Sequence, residues 1–158
     1  MLKQLYSFGS NERLLEAFFK ADVPFLVIGG LAVHFHAPER APDDLDLVVA
    51  PSVEGGRRLL AALTVLGVPG QFTPEEYAQR AQAGFPLKQE FYADILKAEP
   101  WFDFTEHCNE AHDARVFNTP VKVASIRALL LRLSRSDDPK HVEDVELLRR
   151  VAAAPGTI

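Results

Sequence analysis

The segment from Phe25 to Val49 constrains this chain more than any other. FLVI is an uninterrupted apolar run, the pattern of a strand buried on both faces, and Gly29-Gly30 stops it. Leu31 to about Ala37 predicts a short helix ended by Pro38, and Asp44 to Val49 predicts a second strand closed by Ala50-Pro51. Strand side chains two positions apart share a face, so Asp44 and Asp46 project together while Leu45 and Leu47 enter the core. Two carboxylates side by side repel unless a cation sits between them. Mg²⁺ meets that need, because it takes oxygen ligands and shares its shell with phosphates. The glycine pair supplies the other half: the free N–H groups of a helix start attract phosphate, and glycine lets a bulky triphosphate approach the backbone. The segment therefore reads as a site for a nucleoside triphosphate and its metal ions. Arg40, on the loop leading to the Asp pair, is placed to neutralise phosphate charge.

The rest of the chain supports one α/β (α+β) domain over residues 1–158, a mixed sheet with helices packed against it and extra C-terminal helices at about 125–153. Ser10 predicts a cap for a helix to about Lys20, with Leu14, Leu15, Phe18 and Phe19 as its apolar face. Val53 to Leu66 is amphipathic and stops at Gly67. Thr73-Pro74-Glu75-Glu76 is a capping box with proline at the first helical position, opening a helix that runs to near Gly84. Gln89 to Leu96 alternates and predicts a third strand, with Phe91, Ala93 and Ile95 inward and Glu90, Tyr92, Asp94 and Leu96 on the other face. Asp94 thus offers a third carboxylate, and three carboxylates can hold two metal ions about 4 Å apart, the arrangement an in-line phosphoryl displacement uses. Phe102 to Phe104 extends the sheet in this reading, and Thr105 caps a short helix. Arg115 to Ala124 forms a hairpin around Asn118-Thr119. Ser125 caps IRALLLRL, and Asp138-Pro139 starts a last helix with Val142, Val145 and Leu148 as its buried stripe.

With a formal net charge of −5, the chain is not one that grips nucleic acid mainly through bulk charge, although a local basic groove stays open. Cys108 is the single cysteine, which excludes an intrachain disulfide and a cysteine metal cluster and fits a reducing cytoplasm. The N-terminus lacks the apolar core of a signal peptide, and no stretch approaches the roughly 20 apolar residues of a membrane span. His34 and His36, two apart on a helix, point to different sides, and His107 and His112 assemble no zinc-spaced ligand set near Cys108. Trp101, Phe102 and Phe104 read as core, and Arg127, Arg132 and Arg135 as the solvated face of an amphipathic helix. The terminal AAAPGTI reads as a frayed tail.

IGGLAVHFHAPERAPDDLDLVV resembles the signature of the DNA polymerase β-like nucleotidyltransferase superfamily: a hydrophobic residue, Gly-Gly or Gly-Ser, a short helix, then Asp-x-Asp. Within it, the chain is similar to small bacterial proteins related to the AbiEii toxins. Those often carry an Arg-x-Thr-x-Asp-Ile/Leu-Asp-Leu loop, a later hydrophobic-Asp-hydrophobic strand and a C-terminal Arg-x-Lys-Asp-x-x-Asp helix. The counterparts here are Arg40, Asp44-Leu45-Asp46-Leu47, Ala93-Asp94-Ile95, and Lys140 with Asp144, over roughly residues 12–150. Pro42 replaces the loop threonine, His141 stands where an aspartate is common, and Leu133 and Arg132 stand near the position of an absent helix lysine. The resemblance implies a nucleotidyltransferase fold and nucleotidyl transfer. Asp44, Asp46 and Asp94 would hold two Mg²⁺ ions, with Asp94 nearest the acceptor, and Gly29, Gly30, Arg40 and Lys140 would meet the triphosphate. The acceptor stays open among RNA, a protein hydroxyl and a small molecule, and a partner protein or a homodimer could complete its pocket.

Lys140 has a second reading, as an exposed helix lysine pairing with Asp144 at i,i+4. For the whole chain the alternative is a catalytically quiet relative, such as one half of a toxin–antitoxin pair, that binds nucleotide or a partner. Asp-Leu-Asp also occurs in haloacid-dehalogenase-type phosphatases, but there it follows the hydrophobic strand, whereas here the apolar run comes after it. A glycosyltransferase Asp-x-Asp would need a larger nucleotide-sugar domain.

Overall fold

The computed structural model describes residues 1–69, 72–80 and 84–155, with Pro86 described in its backbone only. Strand β1 (Lys3–Leu5) and helix α1 (Asn11–Lys20) precede β2 (Phe25–Ile28), α2 (Gly29–His36) and β3 (Leu45–Val49). Then come α3 (Val53–Val65), α4 (Pro74–Gln79), β4 (Gly84–Pro86), α5 (Lys88–Phe91) and β5 (Ala93–Lys97). Helix α6 (Phe104–Asn109), the hairpin β6 (His112–Val116) and β7 (Thr119–Val123), and helices α7 (Ile126–Leu133) and α8 (Pro139–Ala153) follow.

The strands form one mixed sheet in the order β1-β6-β7-β2-β3-β5-β4. Leu26 and Val27, and likewise Val48 and Val49, are neighbours pointing to opposite faces, and all four are fully buried. Both faces of the central strands are therefore covered, as the apolar run of β2 requires. Helices α1, α3 and α4 pack as one group and α2, α7 and α8 as another.

Register is what positions the chemistry. Antiparallel pairing of β2 with β3 sets Ile28 opposite Asp46, and parallel pairing of β3 with β5 sets Asp46 opposite Asp94. Asp46 thus lies between the residue that enters the glycine pair and the carboxylate of the next strand. Tyr77 ties α4 to this region by donating its hydroxyl to the Ala50 carbonyl at 2.9 Å.

Several local expectations change. Ser10 sits at the start of α1, but its hydroxyl donates to the Glu90 carbonyl instead of accepting from the helix. Phe19 and Val142 are exposed, 54% and 48%, so α1 and α8 bury narrower stripes than their sequences suggest. Asp144 joins Val145 and Leu148 on the buried side of α8 because Arg40 partners it. Residues 88–91 form a helical turn, not the first half of a strand, since Phe91 N–H reaches Leu87 O at 2.7 Å and Tyr92 N–H reaches Lys88 O at 3.2 Å. Strand β5 begins only at Ala93. Phe102 to Phe104 adds no strand; Asp103, not Thr105, caps α6. Helix α4 closes at Gln79, Gly84 lies in β4, and residues 81–83 between them lie outside the described ones. So do residues 156–158 of the expected tail. The capping box at Thr73, the Ser125 cap and the Asp138-Pro139 start form as read.

Candidate active site

Helix α2 starts on Gly29 with no side chain capping it, which leaves first-turn N–H groups for a ligand. Gly29 has φ +68°, a left-handed conformation that glycine adopts without strain. A Cβ there would fall 2.2 Å from Asp46 Oδ2, so the carboxylate rests directly on the glycine. At Gly30 a Cβ would lie 3.2 Å from Arg40 Nη2. The two glycines have separate tasks: one makes room for the acidic edge of the site, the other for the cationic edge.

All seven residues singled out in the sequence, Gly29, Gly30, Arg40, Asp44, Asp46, Asp94 and Lys140, line one cleft of about 560 Å³. Asp46 is half-buried, and its pKa is pushed up to about 6, first by burial and then by the charges of Asp94 and Asp44. Among the described residues Asp46 forms no ion pair. Its neighbours do: Lys88 Nζ stands 3.3 Å from Asp44 Oδ2 and 3.3 Å from Asp94 Oδ2. The Asp94 and Asp44 contacts hold the Lys88 ammonium charged beyond its ordinary range. Its side chain is 58% exposed, so it is held only at its tip.

Arg40 donates Nε to Asp144 Oδ1 at 2.7 Å. Lys140 pairs with Asp43, not with Asp144 as the i,i+4 spacing suggests, because Arg40 occupies that carboxylate. Asp43 thereby joins the rim of the site. Arg132, read in sequence as solvated, lines the cleft and makes a two-point pair with Glu99 at 2.8 and 3.0 Å, lying beside Trp101 and Phe102. His141 Nδ1 lies 2.7 Å from Ser136 Oγ, and both residues line the same cleft. Lys88 carried no signal in the local pattern, and the helical period of α7 read Arg132 as solvent-facing; tertiary packing places both at the cleft.

Among the described residues no three His, Cys, Asp or Glu side chains already converge as a metal cage. The donor set nevertheless fits a hard divalent cation. It offers carboxylate oxygens from Asp44, Asp46 and Asp94, and an ammonium already stands in as the cation between two of them. Asp44, Asp46 and Asp94 are the residues that would hold such an ion. Cys108, on α6, is half-buried, burial pushes its thiol up to about 11, and it does not line the cleft.

Among solved structures, ANT(2″)-Ia in complex with adenylyl-2″-tobramycin is similar: TM-score 0.58, 20% identity, 89% of this chain and 90% of that one. An antigenic nucleotidyltransferase-like protein from Paracoccidioides brasiliensis covers 94% of this chain and 80% of its own at 14% identity and TM-score 0.49. No protein-family model matches the chain, and no curated protein matches it. The fold is that of the nucleotidyltransferases. Among the described residues no helix is long and apolar enough to cross a membrane.

Proposed function

We propose that this protein is a Mg²⁺-dependent nucleotidyltransferase that moves a nucleoside monophosphate from an NTP to an acceptor hydroxyl. The observation that carries the reading is the meeting of two edges at the start of α2, Asp46 against Gly29 and Arg40 against Gly30. Carboxylates for metal and cations for phosphate are thus brought within one triphosphate-sized cleft.

The N–H groups of α2, the Arg40 guanidinium and the Lys140 ammonium would hold the triphosphate. Asp44, Asp46 and Asp94 would hold two Mg²⁺ ions, which when bound supply Lewis-acid stabilisation of the charge that builds on the phosphoryl oxygens. The acceptor hydroxyl oxygen attacks the α-phosphorus. The bond from that phosphorus to the bridging oxygen of the β-phosphate breaks, pyrophosphate leaves, and Asp94 takes the hydroxyl proton. The register of β3 and β5 supports this division of labour by setting Asp94 beside Asp46. The similarity to a protein solved with an adenylylated tobramycin supports a small-molecule acceptor. The resemblance to AbiEii-related proteins adds a cytoplasmic, toxin–antitoxin setting to the proposal.

A second reading has its own observation. Lys88 stands between Asp44 and Asp94 and is placed to neutralise both, as a catalytically quiet binding module would use it. One experiment separates the two. Protein is incubated with each α-labelled NTP, Mg²⁺ and a cell extract, beside an Asp44→Ala/Asp46→Ala control. Label moved to an acceptor only by the intact pair establishes the enzyme. Magnesium-dependent NTP binding without transfer establishes the quiet module, and the absence of both sinks the nucleotide reading.

A further inference from the structure

We propose that His34 is a positioning residue of the triphosphate site: its Nδ1–H holds the Arg40 carbonyl and thereby sets the guanidinium against the start of α2. The inference deepens the nucleotidyl-transfer reading and rests on it.

Arg40 lies on the loop between α2 and β3, beyond the proline that follows the helix. A long side chain on a loop samples many orientations unless its backbone is fixed. Here both backbone polar groups of Arg40 are tied back toward α2. Its N–H donates to the Ala37 carbonyl at 3.0 Å, closing a turn in which Pro38 takes the second position, where its fixed φ is favoured. Its carbonyl accepts from His34 Nδ1 at 2.8 Å. A carbonyl can only accept, so this contact places a proton on Nδ1.

The side chain of Arg40 is held as fully as its backbone. Nε and Nη2 reach Asp144, Nη1 donates to the Ala41 carbonyl, and Nη2 stands 3.2 Å from where a Cβ at Gly30 would lie. The two anchors have different consequences. Through Asp144 the cation follows α8. Through His34 it follows α2, the helix whose first-turn N–H groups would hold the same phosphates. Cation and N–H groups then form one preset surface, which needs no reorganisation when the triphosphate arrives.

His34 is partly buried and does not line the cleft, so it meets the nucleotide only through Arg40. His36 serves a different part of the fold. Its Nε2 lies 2.8 Å from the carbonyl of Ala124, just past β7, and neither of those residues lines the cleft. Of the two histidines on α2, His34 is therefore the one linked to the phosphate-facing arginine.

The test is calorimetric titration of Mg·ATP into the full chain and into His34→Leu, His34→Asn, Arg40→Gln and the His34→Leu/Arg40→Gln double variant. Asparagine carries its NH₂ as many bonds from the backbone as Nδ1, so it restores the donor, whereas leucine is the better helix former. A loss that reflects only helix stability would rank the two variants the other way. Mg·ATP binding is expected to weaken roughly tenfold in His34→Leu, about the worth of one hydrogen bond to a charged group. It should stay near wild type in His34→Asn, and His34→Leu should add nothing once Arg40 is gone. His34→Gln, whose donor lies one bond further out, repeats the comparison with a polar side chain and should bind more weakly than His34→Asn. Wild-type affinity in His34→Leu, equal losses in His34→Leu and His34→Asn, or a His34→Leu loss that persists in the Arg40→Gln background overturns the inference while wild-type Mg·ATP binding stands. Absence of Mg·ATP binding in the wild type overturns the transfer reading, and this inference with it.

Discussion

Arg40 and Asp144, 104 positions apart in sequence, form a two-point ion pair, with Nε to Oδ1 at 2.7 Å and Nη2 to Oδ2 at 3.3 Å. The side chains are only 16% and 5% exposed. This pair fastens the loop that precedes Asp44 and Asp46 to α8 and aims the guanidinium at Gly30. Removing one member of a buried pair strands the other charge. Asp144→Ala is expected to cost on the order of 3 kcal/mol in urea unfolding and to weaken NTP binding, with Asp144→Asn milder in both. Unchanged stability would mean that water already solvates the pair.

Asp46 makes stability depend on pH. In the folded protein its carboxyl keeps a proton up to about pH 6, whereas its ordinary value is 3.8. Between those values the native state binds more protons than the unfolded one, so stability falls as pH rises through the window. The full loss is on the order of 2–3 kcal/mol, at 1.36 kcal/mol per pKa unit. Asp46→Asn should flatten this dependence and raise the melting temperature of the metal-free protein at pH 7 while abolishing transfer. Thermal melts from pH 4 to 7, with and without Mg²⁺, check both points, and Mg²⁺ should restore the lost stability at the upper end.

Lys88 competes with any cation that binds Asp44 and Asp94. In Lys88→Met the metal no longer has to displace an ammonium, so Mn²⁺ affinity read by electron paramagnetic resonance should rise. The metal-free protein should also melt lower, since the carboxylates lose their counter-charge. Weaker Mn²⁺ binding in the variant would mean that the lysine assists the metal.

Gly29 and Gly67 make a matched pair, both at positive φ, +68° and +76°. Alanine at either position costs about 1 kcal/mol in backbone strain. At Gly67 nothing lies within 4 Å of the new Cβ, whereas at Gly29 it would lie 2.2 Å from Asp46 Oδ2. Gly67→Ala should therefore keep its activity, and Gly29→Ala should lose most of it with the fold retained by circular dichroism. Equal activities would remove the Gly29–Asp46 contact from the mechanism.

The sequence by itself determined the strand, the glycine pair, the short helix and the following strand, which carries Asp46 and begins one residue after Asp44 and not at it. These depend on forces that act over a few residues: the apolar run, the freedom of glycine, the period of a strand and the proline stops. The same forces made the Thr73, Ser125 and Asp138 helix starts legible. They misread residues 89–91, because alternation there satisfies a strand as well as a turn that buries Phe91. Only the tertiary structure decided where the charges go. Arg40 takes Asp144, Lys140 takes Asp43, Arg132 takes Glu99, and Lys88 bridges Asp44 and Asp94. An ion pair forms between whichever long side chains the packed elements bring within a few ångströms, and no local period encodes that distance. Asp46 draws its raised pKa from the same source, since burial and the register of β3 with β5 create it.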